Sequence, residues 1–257
     1  MTTTAQRREH IIEHIQTNGT GRVDDFASQF DVSKVTIRND LRVLEQQGCV
    51  ERVYGGAILN KQFAFDRSLK IKGRINTSVK TKIALKALEY INSGETIILD
   101  SGSTTEQIAL QLPNDQPLVV LTNAINIAYH LASYKQVEVI IAGGTMRQDS
   151  FSIHGATAEY QLNQYRFDKV FLGVDSFDLE LGITTPHKAE AQLNRMMCQV
   201  AKQVIAVSDS SKFGLKSFCS IAPLNQIDVL ITDSGIPPSY VKELEKIGVS
   251  VIIADGG

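Results

Sequence analysis

Seven short apolar runs, at residues 97–99, 118–122, 137–142, 170–174, 204–207, 229–232 and 249–253, recur through the C-terminal two-thirds of the chain. Helical or loop stretches separate most of them. Strands that read apolar throughout are buried on both faces, and strands alternating with helices predict a largely parallel α/β sheet covered on both sides. In such a sheet the ligand crevice lies beyond the carboxyl ends of the strands. The residues that follow each run are therefore the informative ones.

The first run stops at Asp100 and passes through Ser101, Gly102, Ser103, Thr104 and Thr105 into a helical pattern from Glu106. A strand, a hydroxyl-rich turn and a helix N-terminus make an anion site, because the first N–H groups of a helix have no internal partner and carry partial positive charge. The other runs end at Asn123, at Gly143-Gly144, at Asp175, and at Asp209 with Lys212. A cradle of hydroxyls, a cation at Lys212, carboxylates at Asp175 and Glu190 for sugar hydroxyls, and glycines for close approach suit a phosphorylated sugar. No GxGxxG or Walker loop is present, so no nucleotide cofactor is expected.

The first sixty residues follow another pattern. Ile11, Ile12 and Ile15 line one face of a helix that stops at Asn18-Gly19, and Val23, Phe26, Ala27 and Phe30 mark a second. A tight turn at Asp31-Val32 leads to Ser33, placed to cap a third helix in which Val35, Ile37, Leu41 and Leu44 face inward. Gln47-Gly48 ends that helix. A hairpin over 49–59, turning at Gly55-Gly56, completes a winged helix-turn-helix. The expected DNA contacts are Ser33, Lys34, Thr36, Arg38, Asn39 and Arg42 on the reader helix, with Arg52 and Tyr54 on the wing. Arg and Asn match guanine and adenine edges, whereas Lys, Ser and Thr suit phosphates. Residues 1–60 carry seven Lys or Arg against eight Asp or Glu, so the case rests on where the cations stand and not on net charge.

Residues 60–82 hold seven cations and the single acid Asp66. They read as a solvated connector, the alternative being a linker that follows the DNA backbone. The expected organisation is a winged helix at 1–60, a linker at 61–76 and an α/β effector domain at 77–257, whose first helix runs from Ser78 to Ser93-Gly94.

Composition adds limits. The chain is 43% hydrophobic with a formal charge of −2, as a globular protein is, and it has no apolar stretch near the roughly 20 residues that span a bilayer. The polar N-terminus with Arg7-Arg8 lacks a signal-peptide core, so a cytoplasmic protein is expected. Cys49, Cys198 and Cys219 have no CxxC spacing and read as reduced thiols, and His10 and His14 lack a third ligand nearby, so no metal is expected.

Two sets of residues support a family resemblance. Val32-Ser33-x-x-Thr36-Ile37-Arg38-x-Asp40-Leu41-x-x-Leu44-Glu45-x-x-Gly48, with Arg52-x-Tyr54-Gly55-Gly56-Ala57, resembles the headpiece of the DeoR family of bacterial transcription repressors. Asp100 to Thr105, Gly143-Gly144, Phe171-x-Gly173-x-Asp175, Gly182-x-Thr184 with Glu190-Ala191, and Asp209-x-Ser211-Lys212-Phe213 resemble that family's effector domain. The effector domain is related in fold to ribose-5-phosphate isomerase and the glucosamine-6-phosphate deaminases. Residues 36–41, 167–175 and 193–198 look most like those of repressors of N-acetylgalactosamine catabolism.

The resemblance implies a repressor of a sugar catabolic operon that binds double-stranded operator DNA as a homodimer or homotetramer and is released by a phosphorylated sugar, with no catalytic residues. Many members carry a second Arg where this chain has Asn39, which implies a changed base preference. Two other readings remain open on the residues alone. One is a sugar-phosphate isomerase or deaminase that uses Asp175, Glu190 and Lys212 as acid and base and carries an appended headpiece. The other is a winged helix that binds protein and not DNA.

Overall fold

A computed structural model of the chain describes residues 3–46, 50–59 and 68–254. The chain divides into two compact units, Met1–Phe65 and Asp66–Gly257.

In the first unit, α1 (Thr4–Asn18) starts from a capping box between Thr3 and Gln6 and ends at Gly19, whose φ of 75° is the left-handed conformation that favours glycine. Strand β1 (Thr20–Arg22) leads into α2 (Val23–Phe30), α3 (Lys34–Gln46) and the hairpin β2 (Val50–Val53) and β3 (Gly56–Leu59). Ile11, Ile15, Phe26, Ile37, Leu41 and Leu44 form the core. Val35, expected to face inward with them, is 63% exposed, because the inward stripe of α3 runs through Ile37, Asp40, Leu41 and Leu44. The sheet order is β1-β3-β2, all antiparallel, so the wing has a third strand that periodicity did not reveal. The hairpin turns at Tyr54-Gly55, one residue earlier than expected, and Gly56 already pairs within β3. The expected helix end at Gln47-Gly48 and Cys49 of the wing lie outside the described residues.

The second unit opens with α4 (Leu69–Arg74) and α5 (Thr77–Leu88). There follow β4 (Thr96–Leu99), α6 (Ser103–Gln111), β5 (Leu118–Thr122), α7 (Ile125–Leu131) and β6 (Val137–Ile141). A small hairpin, β7 (Thr145–Arg147) and β8 (Ser152–His154), precedes α8 (Ala156–Leu162) and β9 (Phe167–Gly173). Then come β10 (Ser176–Asp178), β11 (Gly182–Thr185), α9 (Lys188–Val200), β12 (Ala201–Val207), β13 (Cys219–Ala222), β14 (Val229–Thr232), α10 (Pro238–Lys246) and β15 (Ser250–Ile253).

Seven of these strands form one wholly parallel sheet in the order β15-β14-β12-β9-β4-β5-β6. Alternate residues feed two cores. Ile98, Val170, Leu172 and Ala206 pack under α8 to α10, while Ile97, Leu99, Phe171 and Ile205 pack under α5 to α7. Burial on both faces explains why the five inner strands read apolar throughout, whereas the edge strands β6 and β15 are largely half-buried or exposed. From β4 the chain winds one way through β5 and β6, and from β9 the other way through β12, β14 and β15. The topological switch point therefore lies between β4 and β9, where such a sheet opens a crevice. An antiparallel sheet in the order β10-β11-β13 and the β7-β8 hairpin, neither anticipated from sequence, stand beside the main sheet.

The stretch expected as a linker, 61–76, contains helix α4. Residues 60–67 lie outside the described ones, but α4 belongs to the second unit, with Leu69 buried and its N–H donating to the Asp149 carbonyl at 2.7 Å. Helix α5 is also shorter than expected and stops at Leu88.

Candidate functional site

The reader helix is capped as its sequence requires, with Ser33 Oγ accepting the Thr36 N–H at 3.1 Å and bonding Thr36 Oγ1 at 2.9 Å. Lys34, Arg38, Asn39 and Arg42 are exposed and Thr36 half-buried. Lys34 pairs with Asp24 of α2 at 2.9 Å, and this hydrogen bond holds the Asp24 carboxyl below the usual range. On the wing, Arg52 Nε bonds Glu45 Oε2 at 2.8 Å, and Tyr54 stands fully exposed at the tip. Lys34, Arg38, Arg52 and Tyr54 line one concavity together with Arg22 of β1, a cation that sequence reasoning missed because β1 itself was missed.

Asp40, which offsets the reader helix's positive charge in a sequence tally, is buried on the opposite side. Its two oxygens accept from Arg7 Nε and Arg8 Nε, each at 2.7 Å. The outward face of α3 thus keeps its cations without Asp40 among them.

In the second unit, the cavity at the switch point is lined by Asp100, Ser101, Gly102, Ser103 and Thr104 after β4, by Asp175 after β9, by Glu190 of α9 and by Lys212. These are eight of the twelve effector residues expected from sequence, brought together from four chain segments. Asp100 is buried. Its Oδ1 accepts from Ser101 N at 2.7 Å, and its Oδ2 accepts from Gly173 N and Asn194 Nδ2 at 3.2 Å each. Burial, then the charges of Glu190 and Asp175, push its carboxyl up to about 8 against those hydrogen bonds.

For Asp175, burial opposes ionisation too. Here Lys72, 2.5 Å from Oδ1, together with Lys212 and the Thr185 hydroxyl at 2.9 Å outweighs it and holds the carboxyl below the usual range. Glu190 Oε1 accepts from Arg147 at 3.1 Å, Ser150 at 3.0 Å and Ser152 at 2.7 Å. Gly173 crosses Asp100 so closely that a Cβ would sit 3.3 Å from the Ser101 carbonyl.

Four expected residues do not line the cavity. Thr105 is fully buried and bonds back to the Gly102 carbonyl at 2.9 Å. Asn123 lies behind the turn, donating to Ser101 Oγ at 3.3 Å. Gly143 gives its N–H to Gln161, and Gly144 permits the β7-β8 hairpin, since a Cβ there would meet the His154 carbonyl at 2.5 Å. Of these two glycines only Gly144 is required by a close backbone crossing, since a Cβ at Gly143 would make ordinary contacts with Thr157 and Gln161.

Conversely, Lys72 and Lys80, assigned from sequence to a solvated connector, both line the cavity. Lys80 is buried and donates to the Lys72 and Ile75 carbonyls at 2.6 and 2.7 Å, tying down the end of α4. Burial pulls its ammonium down to about 8, with Asp209 opposing. The excess of cations over 61–82 was the only sequence signal for them. Ser150 and Thr185 also line the cavity and had none, and Asn194, which lines it too, was marked only by the resemblance over 193–198. Four cationic or N–H-rich groups facing one buried pocket suit a phosphate, and the interleaved carboxylates suit sugar hydroxyls.

Among the described residues no helix is long and apolar enough to cross a membrane, and no three His, Cys, Asp or Glu side chains gather as around a metal.

Comparison with known proteins matches residues 7–63 to the DeoR-like helix-turn-helix domain and residues 75–234 to the DeoR C-terminal sensor domain. The chain is 42% identical to the putative aga operon transcriptional repressor of Escherichia coli O157:H7, over 98% of this chain and 95% of that protein. It is 34% identical to the transcriptional regulator GlpR of Haloferax volcanii (96% and 97% covered) and 32% identical to the transcriptional repressor GlcR of Bacillus subtilis (97% and 96%). Among solved structures, ribose 5-phosphate isomerase A of Methanocaldococcus jannaschii overlaps 54% of this chain and 55% of its own, with 17% identity and a TM-score of 0.41.

Proposed function

The chain belongs to the DeoR family of transcription regulators, and from that premise we propose that it represses an amino sugar catabolic operon and leaves its operator when a phosphorylated amino sugar fills the switch-point pocket. It is a DNA-binding transcription regulator and not an enzyme, as its relatives are named. The amino sugar is supported by the 42% identity to the aga operon repressor and by the motifs at 36–41, 167–175 and 193–198. The observation that carries the effector is the pocket itself. The opening turn of α6, Lys72, Lys80 and Lys212 supply positive potential, and Asp175 and Glu190 supply acceptors, in one buried crevice.

On DNA, Arg38 and Asn39 read bases while Ser33, Lys34, Thr36, Arg42, Arg52 and Tyr54 hold backbone. We place the protein in the cytoplasm, as a homodimer or homotetramer on repeated or palindromic half-sites. The substitution Asn39→Arg shifts operator preference, and selection of binding sites from a randomised DNA pool checks it.

The test of the whole reading is fluorescence anisotropy on DNA from the gene's own upstream region, at fixed salt, with and without hexosamine 6-phosphates. The expected result is specific binding that the sugar phosphate weakens, with the response lost in Ser103→Ala plus Lys212→Ala. Specific binding that no sugar phosphate moves would overturn the effector assignment, and absence of specific binding would overturn the operator assignment.

A further inference from the structure

Most of the acceptors in the effector pocket are already taken. Asp100 accepts from Ser101, Gly173 and Asn194, Asp175 from Lys72 and Thr185, and Glu190 from Arg147, Ser150 and Ser152. One buried acceptor is not. Asn194 is 6% exposed and lines the pocket, and its Oδ1 has no hydrogen-bond partner among the described residues. Of the five buried side-chain polar atoms in that condition, it alone belongs to a pocket-lining residue.

The amide of Asn194 turns its nitrogen to Asp100 Oδ2 at 3.2 Å, and its oxygen makes no bond to that carboxyl. A buried polar atom without a partner is costly and rare, and when it lies in a binding pocket it marks where a ligand group is due. What is missing is a donor. A hydroxyl both gives and takes, whereas an ammonium or amide nitrogen only gives. Two further carboxyl groups that line the pocket, Asp175 and Glu190, favour nitrogen there.

We infer that Asn194 is a specificity residue whose side-chain oxygen accepts a hydrogen bond from the donor at carbon 2 of the sugar phosphate, the N–H of an amino sugar. This deepens the proposed function and rests on it for the class of ligand. Helix α9 thereby presents two residues one turn apart to the same molecule, Glu190 and Asn194. The first is held rigid by three donors, and the second is left open.

The test is isothermal titration of the full chain with a 2-amino-2-deoxyhexose 6-phosphate and with the matching 2-deoxyhexose 6-phosphate, which lacks the donor. The wild-type chain is expected to bind the amino compound about tenfold more tightly, the worth of one hydrogen bond to a buried acceptor. In Asn194→Leu that ratio is expected to fall to about one while the deoxy compound keeps its wild-type affinity. The wild-type arm stands whether or not the variant folds.

A wild-type chain that binds both compounds equally overturns the inference. So does a variant that retains the ratio, or one that loses both ligands alike, since the last would show Asn194 acting only through Asp100. If neither compound binds the wild type, the sugar-phosphate reading itself fails and this inference fails with it.

Discussion

Asp40 lies in the middle of the reader helix's polar sequence, between Asn39 and Leu41, and nothing in its local pattern marks it as buried. It is 2% exposed because two arginines of α1 meet it, Arg7 itself being 7% exposed. A buried carboxylate with two guanidinium partners is an orientation device. It fixes α3 against α1 at one rotation, and that rotation decides that Arg38, Asn39 and Arg42 point outward. Removing one member of a buried ion cluster leaves the others uncompensated, at a cost of about 3–5 kcal/mol. Asp40→Ala is therefore expected to raise amide hydrogen exchange throughout the first unit and to abolish operator binding, while the second unit's exchange stays as it was. Pairing Asp40→Leu with Arg7→Met is expected to recover much of the loss, since an apolar replacement strands fewer charges. Equal protection in the wild type and Asp40→Ala would reduce the cluster to a surface ornament.

At the scale of elements, the wing shows how much of this fold was legible. The helices and the hairpin follow from apolar spacing and from Ser33, Gly19 and Gly55, because those residues act on their immediate neighbours. Strand β1 did not follow. Its residues Thr20, Gly21 and Arg22 carry no alternation, and its existence depends on Gly56 across the sheet, where a Cβ would lie 2.3 Å from the Gly21 carbonyl. Gly56→Ala is accordingly expected to destabilise the first unit by about 1–3 kcal/mol, read as an earlier unfolding transition in urea, and to weaken DNA binding without altering effector affinity.

The same division runs through the second unit. Every strand of the parallel sheet was readable, the five inner ones because they are buried on both faces and the half-exposed edge strands β6 and β15 from their apolar runs, and so were the strand-end residues nearest the switch point. Gly144, which does not line the cavity, shows a limit of that reading, because a close backbone crossing and a close ligand approach demand the same residue. Lys72 and Lys80 were hidden for the converse reason. A long side chain reaches its site from a segment whose sequence looks solvated, and only the packing of α4 for Lys72 and of α5 for Lys80 turns it inward.

For the whole molecule, the charged pocket has consequences for stability and for regulation. The Asp100 carboxyl rises from the usual range to about 8 on folding, so between about pH 4 and pH 8 the folded chain holds a proton that the unfolded chain has lost. Its contribution is fully present below the unfolded value and is lost as pH rises through about 8. Lys80 stays charged in both states over most of that window and acts above it, and His154, lowered by burial, titrates alike in wild type and variant. Urea titrations of the full chain from pH 5 to 8 are thus expected to show a decline in stability that Asp100→Asn flattens, and a parallel decline in both would refute the assignment.

Regulation adds a second whole-molecule constraint. A sugar phosphate that releases DNA must bind more tightly to the state that holds DNA poorly, since equal affinity for both states shifts nothing. A coupling of about 1–3 kcal/mol changes operator affinity about 5- to 150-fold, and linkage makes the effect reciprocal. Saturating operator DNA must therefore weaken binding of the effector to the full chain by the same factor by which the effector weakens operator binding. Titrating the effector with and without operator at one salt concentration measures that factor from the other side. A matching factor that levels off at saturating operator establishes one coupled equilibrium through the switch-point pocket, whereas effector binding that keeps weakening without limit as operator is added would mean that the compound competes directly at the DNA-reading face.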